Sequence, residues 1–151
     1  MQKPILVRPA VASDMPAVHA LVYELAVYEK APEAVVTTPE IYLRDFQNGR
    51  FESLVAEVDG TVAGMVLFYP AYSTWKGNML YLEDFVVSEP YRGLGIGQLL
   101  YDAFVEEGRK RGCSLVKWQV LDWNTPALRF YEKNDAIVEK DWWNCKVFLP
   151  H

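Results

Sequence analysis

Tyr91-Arg92-Gly93-Leu94-Gly95-Ile96-Gly97 is the stretch whose reading decides the fold. It follows an apolar, strand-like run from Met79 to Val87 and precedes a periodic helix from Gln98 to Arg111. Three glycines leave the backbone N–H groups from Gly93 to Gly97 clear of bulky side chains, and a helix begins at the same place. Exposed amides and the positive end of a helix dipole together make a site for phosphate. Two common phosphate motifs fail here. A P-loop would place lysine and a hydroxyl residue after the last glycine, whereas Gln98 and Leu99 follow Gly97. A dinucleotide fingerprint would read Gly-x-Gly-x-x-Gly after the first strand of a parallel sheet. Here the spacing is Gly-x-Gly-x-Gly, after several strands that read as antiparallel. A glycine-rich connection without a ligand stays open from the loop alone.

Working outward, Ile5-Leu6-Val7 reads as a first strand. Ser13 and Asp14 with Pro16 mark a helix start, and Val18, Leu21, Val22, Leu25 and Ala26 follow helical spacing until Tyr28-Glu29-Lys30. A second helix starts at Thr38-Pro39 and stops at Asn48-Gly49. Ser53 to Val58 and Thr61 to Tyr69 flank Asp59-Gly60, a hairpin signal. Pro70 to Asn78 reads as a loop and Leu80 to Val87 as the next strand. In the helix after the glycine loop, Ile96, Leu99, Leu100, Ala103 and Phe104 form an apolar stripe. A strand over Ser114 to Val120, a helix over Thr125 to Lys133 and a last strand over Ala136 to Phe148 complete the pattern. The expected order is β-α-α-β-β-β-α-β-α-β, a mixed α/β domain of one piece over residues 1–151.

A hydrophobic content of 51% with 14% aromatics suits a folded globule, and a net charge of −5 argues against a nucleic-acid partner. The two cysteines, Cys113 and Cys145, lie in no metal-binding spacing and are expected as reduced core thiols. No apolar run is long enough to span a membrane. The N-terminus lacks the basic-then-apolar pattern of a leader, so a cytoplasmic location is expected.

Arg92-Gly93-Leu94-Gly95-Ile96-Gly97 also fits Arg/Gln-x-x-Gly-x-Gly/Ala at every defined position. In that respect it resembles the pyrophosphate loop of the GCN5-related N-acetyltransferases. Asn124 with Phe130-Tyr131-Glu132-Lys133 is similar to the segment that closes the coenzyme site in that superfamily. The family usually carries glycine two residues after the lysine, where this chain has Asp135. Tyr81-Leu82-Glu83-Asp84-Phe85, Tyr91-Arg92-Gly93, Asp122-Trp123-Asn124 and Glu24 to Glu29 resemble the spermidine/spermine (diamine) and thialysine acetyltransferase branch. The likeness runs from about Val7 to about Asp135. The region from Asp141 to His151 departs from it.

The resemblance implies an acyl-CoA N-acyltransferase fold with splayed central strands. It implies acetyl-CoA as cofactor, a small cationic amine as acceptor (polyamine, diamine or lysine-like amino acid), direct attack in a ternary complex, and a homodimer. The coenzyme would be held by Phe85, Val86, Val87, Arg92, Gly93, Leu94, Gly95, Ile96, Gly97, Gln98, Asn124, Pro126, Ala127 and Tyr131. Tyr28, Glu29, Glu83, Trp118 and Gln119 would line the amine end.

Acetyl transfer needs a deprotonated amine, and alkyl ammonium groups hold their proton to about pH 10. It also needs a stabilised oxyanion and a proton for the departing thiolate. Glu83 is the candidate base, read on a strand face shared with Tyr81 and Phe85, and a solvent-facing carboxylate is the plainer alternative. Asp84 is expected to point the other way. Tyr131 is the candidate acid or a core tyrosine, and Asn124 a coenzyme ligand or a helix cap. Trp75, Trp142 and Trp143 are read as core or interface. A non-catalytic acyl-CoA-binding module, or a transferase for protein lysines or N-termini, are the rival functions.

Overall fold

The computed structural model describes residues 3–150, so Met1, Gln2 and His151 lie outside the described residues. This leaves the N-terminal leader reading and the last residue of the divergent segment without a structural account. The chain divides after Gln119 into two compact units.

The first unit is a five-stranded mixed sheet with helices on both faces, as the mixed α/β reading expects. Its strands are β1 (Ile5–Pro9), β2 (Glu52–Val58), β3 (Thr61–Ser73), β4 (Gly77–Val87) and β5 (Leu115–Trp118), in that spatial order. The first four pair antiparallel, and β5 joins β4 in parallel, connected through helix α3 (Ile96–Lys110). Asp59-Gly60 makes the β2–β3 turn, both residues with positive φ. The segment Pro70 to Asn78, expected as a loop, is mostly strand. Pairing runs on to Ser73–Gly77, and only Thr74-Trp75-Lys76 turns. Trp75 at that tip is 83% exposed and therefore not core.

On one face α3 covers Ala56, Val66, Phe68, Leu80 and Leu82. Its buried stripe is Ile96, Leu100, Phe104 and Gly108, joined by Tyr101. Each fully buried apolar side chain here stabilises the fold by roughly 1.5–3 kcal/mol. Leu99, expected in the stripe, is 44% exposed because the helix turns its 96-100-104-108 row inward. At Gly108 an added Cβ would lie 2.9 Å from Val116 Cγ1, so glycine permits the close approach of α3 to β5. The other face is covered by α1 (Met15–Tyr28) and α2 (Pro39–Gln47), with Met15, Val18, Leu21, Val55, Met65, Leu67 and Val86 buried between.

These three helices and α4 (Thr125–Lys133) of the second unit end in the same way. The residue after the C-cap is left-handed, and the amide after it bonds back to the third-last helical carbonyl: Ala31 to Ala26, Arg50 to Asp45, Cys113 to Gly108 and Ala136 to Tyr131. Glycine fills the left-handed place at Gly49 and Gly112, but Lys30 and Asp135 fill it in the other two.

In the second unit Asn124 Oδ1 accepts from the Ala127 N–H at 3.3 Å as N-cap of α4. Asp135, standing where the family has glycine, adopts φ 63° and completes the cap. The strand expected over Ala136 to Phe148 is not found: among the described residues no regular element follows α4. Its apolar residues, among them Ile137, Trp142, Trp143, Val147 and Phe148, are exposed. A segment becomes a strand only when a neighbouring edge takes up its N–H and C=O groups. Cys145 is exposed too, so only Cys113 packs against the core; both are free thiols.

Candidate active site

The centre of the site is an irregularity in β4. Leu67 of β3 pairs with Asp84 and Phe68 pairs with Leu82, so Glu83 is an extra residue without a register partner. A bulge of this kind breaks the two-residue alternation. Leu80 and Leu82 face α3 before it, and Phe85 and Val87 pack on that same side after it. Glu83 and Asp84 therefore both open onto the α1/α2 side, lining one cleft of about 240 Å³ with Tyr42, Tyr69 and Leu67. The expectation that Asp84 points away from Glu83, and that Glu83 shares a face with Phe85, is corrected by this single extra residue.

The two carboxylates differ in setting. Glu83 is exposed, and its Oε1 accepts the Tyr69 hydroxyl at 2.9 Å. Tyr69 stacks on Tyr81 with ring centroids 5.5 Å apart. Asp84 is half-buried, and burial first, then the charges of Glu83 and Glu29, push its carboxyl up to about 7. Glu29, the C-cap of α1, is itself raised by burial. Burial and the Asp84 charge likewise raise the Tyr42 phenol. Carboxyl groups gathered in partial burial disfavour one another's ionisation, and a cation entering among them relieves that cost. Asp84 escapes sequence reasoning as a site residue. Its adjacency to Glu83 is visible there, but the bulge that turns it is not.

Beyond Leu82 the β4–β5 ladder ends, at Leu82–Trp118. Among the described residues, β4 from Glu83 to Val87 is paired as a strand only with β3, consistent with the expected splay. Trp118, expected in the amine wall, stands on the opposite face, packed against the α3-side core and edge-on to Tyr101 at 5.8 Å. Gln119 is exposed at the end of the first unit.

After Val87 the chain enters the glycine loop under tight control. Glu24 of α1 is the hub. Its Oε1 accepts from Ser88 Oγ at 2.8 Å, its Oε2 accepts from the Glu89 N–H at 3.0 Å, and the Arg92 guanidinium lies 3.7 Å from Oε2. Arg92 Nε also donates to the Val87 carbonyl at 3.0 Å, and its guanidinium carbon sits 5.9 Å from the Tyr28 ring centroid. Tyr28 thus belongs to the loop entrance, while Glu29 belongs to the acid cluster. Glu24 gains here a role that its motif alone does not give it.

Within the loop Gly93 (φ 80°) and Gly95 (φ 84°) are left-handed, and a Cβ on either would meet nothing within 4 Å. Alternating backbone hand turns successive N–H groups toward one concavity. Gly95 is the N-cap of α3, so the first-turn amides of Ile96 and Gly97 have no helical carbonyl behind them. Ile96 is buried and anchors the helix start, while Leu94 is exposed. Gly97 has the ring of Phe85 and the side chain of Val87 3.8 Å from its Cβ position. The open side of both left-handed glycines and the helix terminus fit a pyrophosphate group. In the second unit Asn124 is the N-cap described above, Pro126 and Ala127 form the first turn of α4, and Tyr131 is buried on that helix against Phe130.

The model of the acetyltransferase (GNAT) family matches residues 19–135. The chain belongs to this family. It is 35% identical over 156 residues to the thialysine N-epsilon-acetyltransferase of Bos taurus, covering 95% of this chain and 92% of that protein. It is 36% identical over 118 residues to the Caenorhabditis elegans protein of the same name, covering 78% and 74%. A human spermidine/spermine N(1)-acetyltransferase-like protein 1 is 32% identical over 140 residues, 87% of this chain but 20% of that longer protein. The fold is also that of a solved aminoglycoside N-acetyltransferase, AAC(6')-Iy, in complex with CoA, at TM-score 0.78, 16% identity and 97% coverage of both chains. The chain is accordingly an N-acetyltransferase.

Proposed function

We propose that this enzyme moves an acetyl group from acetyl-CoA to a primary amine of a small cationic acceptor, a polyamine, a diamine or a lysine-like amino acid, by direct attack in a ternary complex. The observation that carries this reading is the β4 bulge, which sets two carboxylates in one cleft on the strand that runs directly into the glycine loop. The names of the relatives support an amine acceptor. Acetyl-CoA, when bound, supplies an activated thioester; every other contribution comes from the chain.

The amides of Gly93 to Gly97, the α3 terminus and Arg92 hold the pyrophosphate. The stretch of β4 beyond its pairing with β5, at Phe85, Val86 and Val87, takes the pantetheine arm in the manner of an added strand and offers an N–H to the developing oxyanion. Asn124, Pro126 and Ala127 complete the coenzyme contacts by their place in the family segment. Glu83, exposed in the cleft and held by Tyr69, receives the ammonium and relays its proton through water. Asp84 is the second acceptor, its carboxyl near neutrality being matched to proton transfer at physiological pH. Glu29 adds negative potential. Tyr131, a neutral phenol in the family's Phe-Tyr-x-Lys segment, returns a proton to the departing thiolate.

We read the two units as one catalytic domain, since the family match crosses the division at Gln119. The exposed apolar residues after α4 suit a homodimer contact. Among the described residues no helix is long and apolar enough to cross a membrane. The free thiols suit the cytoplasm, and the net charge of −5 suits no nucleic-acid partner. The test is thioester consumption with a panel of free amines and lysine peptides. Turnover on free amines, lost in Glu83→Gln and Tyr131→Phe with coenzyme binding intact, supports the reading. Peptides outcompeting free amines would move it to protein acetylation, and coenzyme binding without turnover on any amine would leave only a binding module.

A further inference from the structure

The cleft that holds the acid pair is also lined by a pair of opposite charge. Asp45 and Arg50 line it together with Tyr42, Tyr69, Glu83 and Asp84. Asp45 lies in the last turn of α2, and Arg50 follows the left-handed Gly49 that ends this helix. The Arg50 N–H donates to the Asp45 carbonyl at 2.9 Å, so the capping turn fixes the two residues beside each other. Asp45 Oδ1 is paired with Arg44 Nε at 3.1 Å.

Every other arginine of the first unit has a carboxylate partner. Arg8 pairs with Asp14 and Glu57, Arg44 with Asp45, Arg92 with Glu24, Arg109 with Glu106, and Arg111 with Glu52 and Glu107. Arg50 has no carboxylate partner among the described residues, although the cleft it lines is rich in carboxylates. A guanidinium is a planar fork of donors shaped for a carboxylate, and here that fork is open at the edge of a small-molecule cleft.

A linear polyamine presents only cations along its length. A lysine-like amino acid presents an amine at one end and, at the other, an ammonium and a carboxylate on the same carbon. We propose that Arg50 binds the α-carboxylate of a lysine-like acceptor while Asp45 receives its α-ammonium, so that the side-chain amine faces Glu83 and Asp84. This rests on the reading of the cleft as the acceptor site. The arrangement selects by attraction and by repulsion: the distal ammonium of a polyamine meets Arg50 with like charge. A cavity of about 240 Å³ is at the small end for ligand sites and suits an acceptor of this size.

The matched probes are lysine and pentane-1,5-diamine, which is lysine without its carboxylate. Steady-state kinetics on the full chain compare the parent with Arg50→Gln and Arg50→Lys. The parent favours lysine. In Arg50→Gln, kcat/KM for lysine falls about tenfold to a hundredfold through KM, the loss expected for one charged hydrogen-bonded pair. Activity on the diamine holds or rises, which also reports intact folding, and Arg50→Lys restores part of the lysine activity. Equal losses on both acceptors, or a parent that favours the diamine, overturn the assignment of Arg50 and leave the acetyltransferase reading standing. A parent that acetylates neither amine overturns both.

Discussion

Replacing Asp84 with asparagine should abolish one component of the pH dependence of stability. The carboxyl of Asp84 is pushed up to about 7 from an ordinary value of 3.8, by burial and by the charges of Glu83 and Glu29. Between these values the folded chain keeps a proton that the unfolded chain has released, so stability falls as pH rises. The stabilisation from neutral Asp84 is fully present below the unfolded value and is lost as pH climbs through about 7. A separation of about three units corresponds to ~4 kcal/mol at full effect. Part of that separation lies below the working range, and Glu83 is solvated, so ~2 kcal/mol is expected between roughly pH 5 and pH 8. An asparagine at this position has no proton to lose, so the variant gains on the parent by that amount across the window. Urea unfolding followed by tryptophan fluorescence at both pH values, on both proteins, measures it. A stability difference that stays constant with pH, or shrinks, would refute the claim that Asp84 ionises late beside its neighbours.

Three further outcomes are expected. Gly95→Ala, at φ 84°, should cost about 1–2 kcal/mol of stability from the left-handed backbone and weaken coenzyme A binding in calorimetry. Glu24→Ala should release Ser88, Glu89 and Arg92 together, lowering coenzyme affinity about tenfold while the denaturation midpoint barely moves. Gly108→Ala should lower stability by about 1–3 kcal/mol in denaturant unfolding, because its Cβ would press on Val116.

Much of this molecule is legible from its residues. Asp59-Gly60 gives the hairpin, and the spacing from Arg92 to Gly97 gives the left-handed turn and the helix start, because each is local chemistry. Three misreadings share one cause, the dependence of a residue's facing on partners distant in sequence. Asp84 points away from Glu83 by counting alternate residues, yet a bulge opposite Leu67 and Phe68 brings the two onto one side. Leu99 fits a helical stripe, but the sheet takes the row through Leu100 instead. Ala136 to Phe148 reads as a last strand, yet a strand forms only against a partner, and among the described residues no regular element follows α4. Arg50 reads only as the residue after a helix stop, since nothing in a sequence announces which arginine is left without a carboxylate.

The register of β4 also has a genetic side. Removing Glu83 alone would leave Leu82 opposite Phe68 and Asp84 opposite Leu67, as they are now, and would join them into a strand of unbroken alternation. The shortened protein should keep its core and form a more regular sheet, with half of its acid pair gone. A single-codon deletion is therefore a path from this enzyme to an inert, well-folded relative, and only selection on activity keeps the longer strand in place.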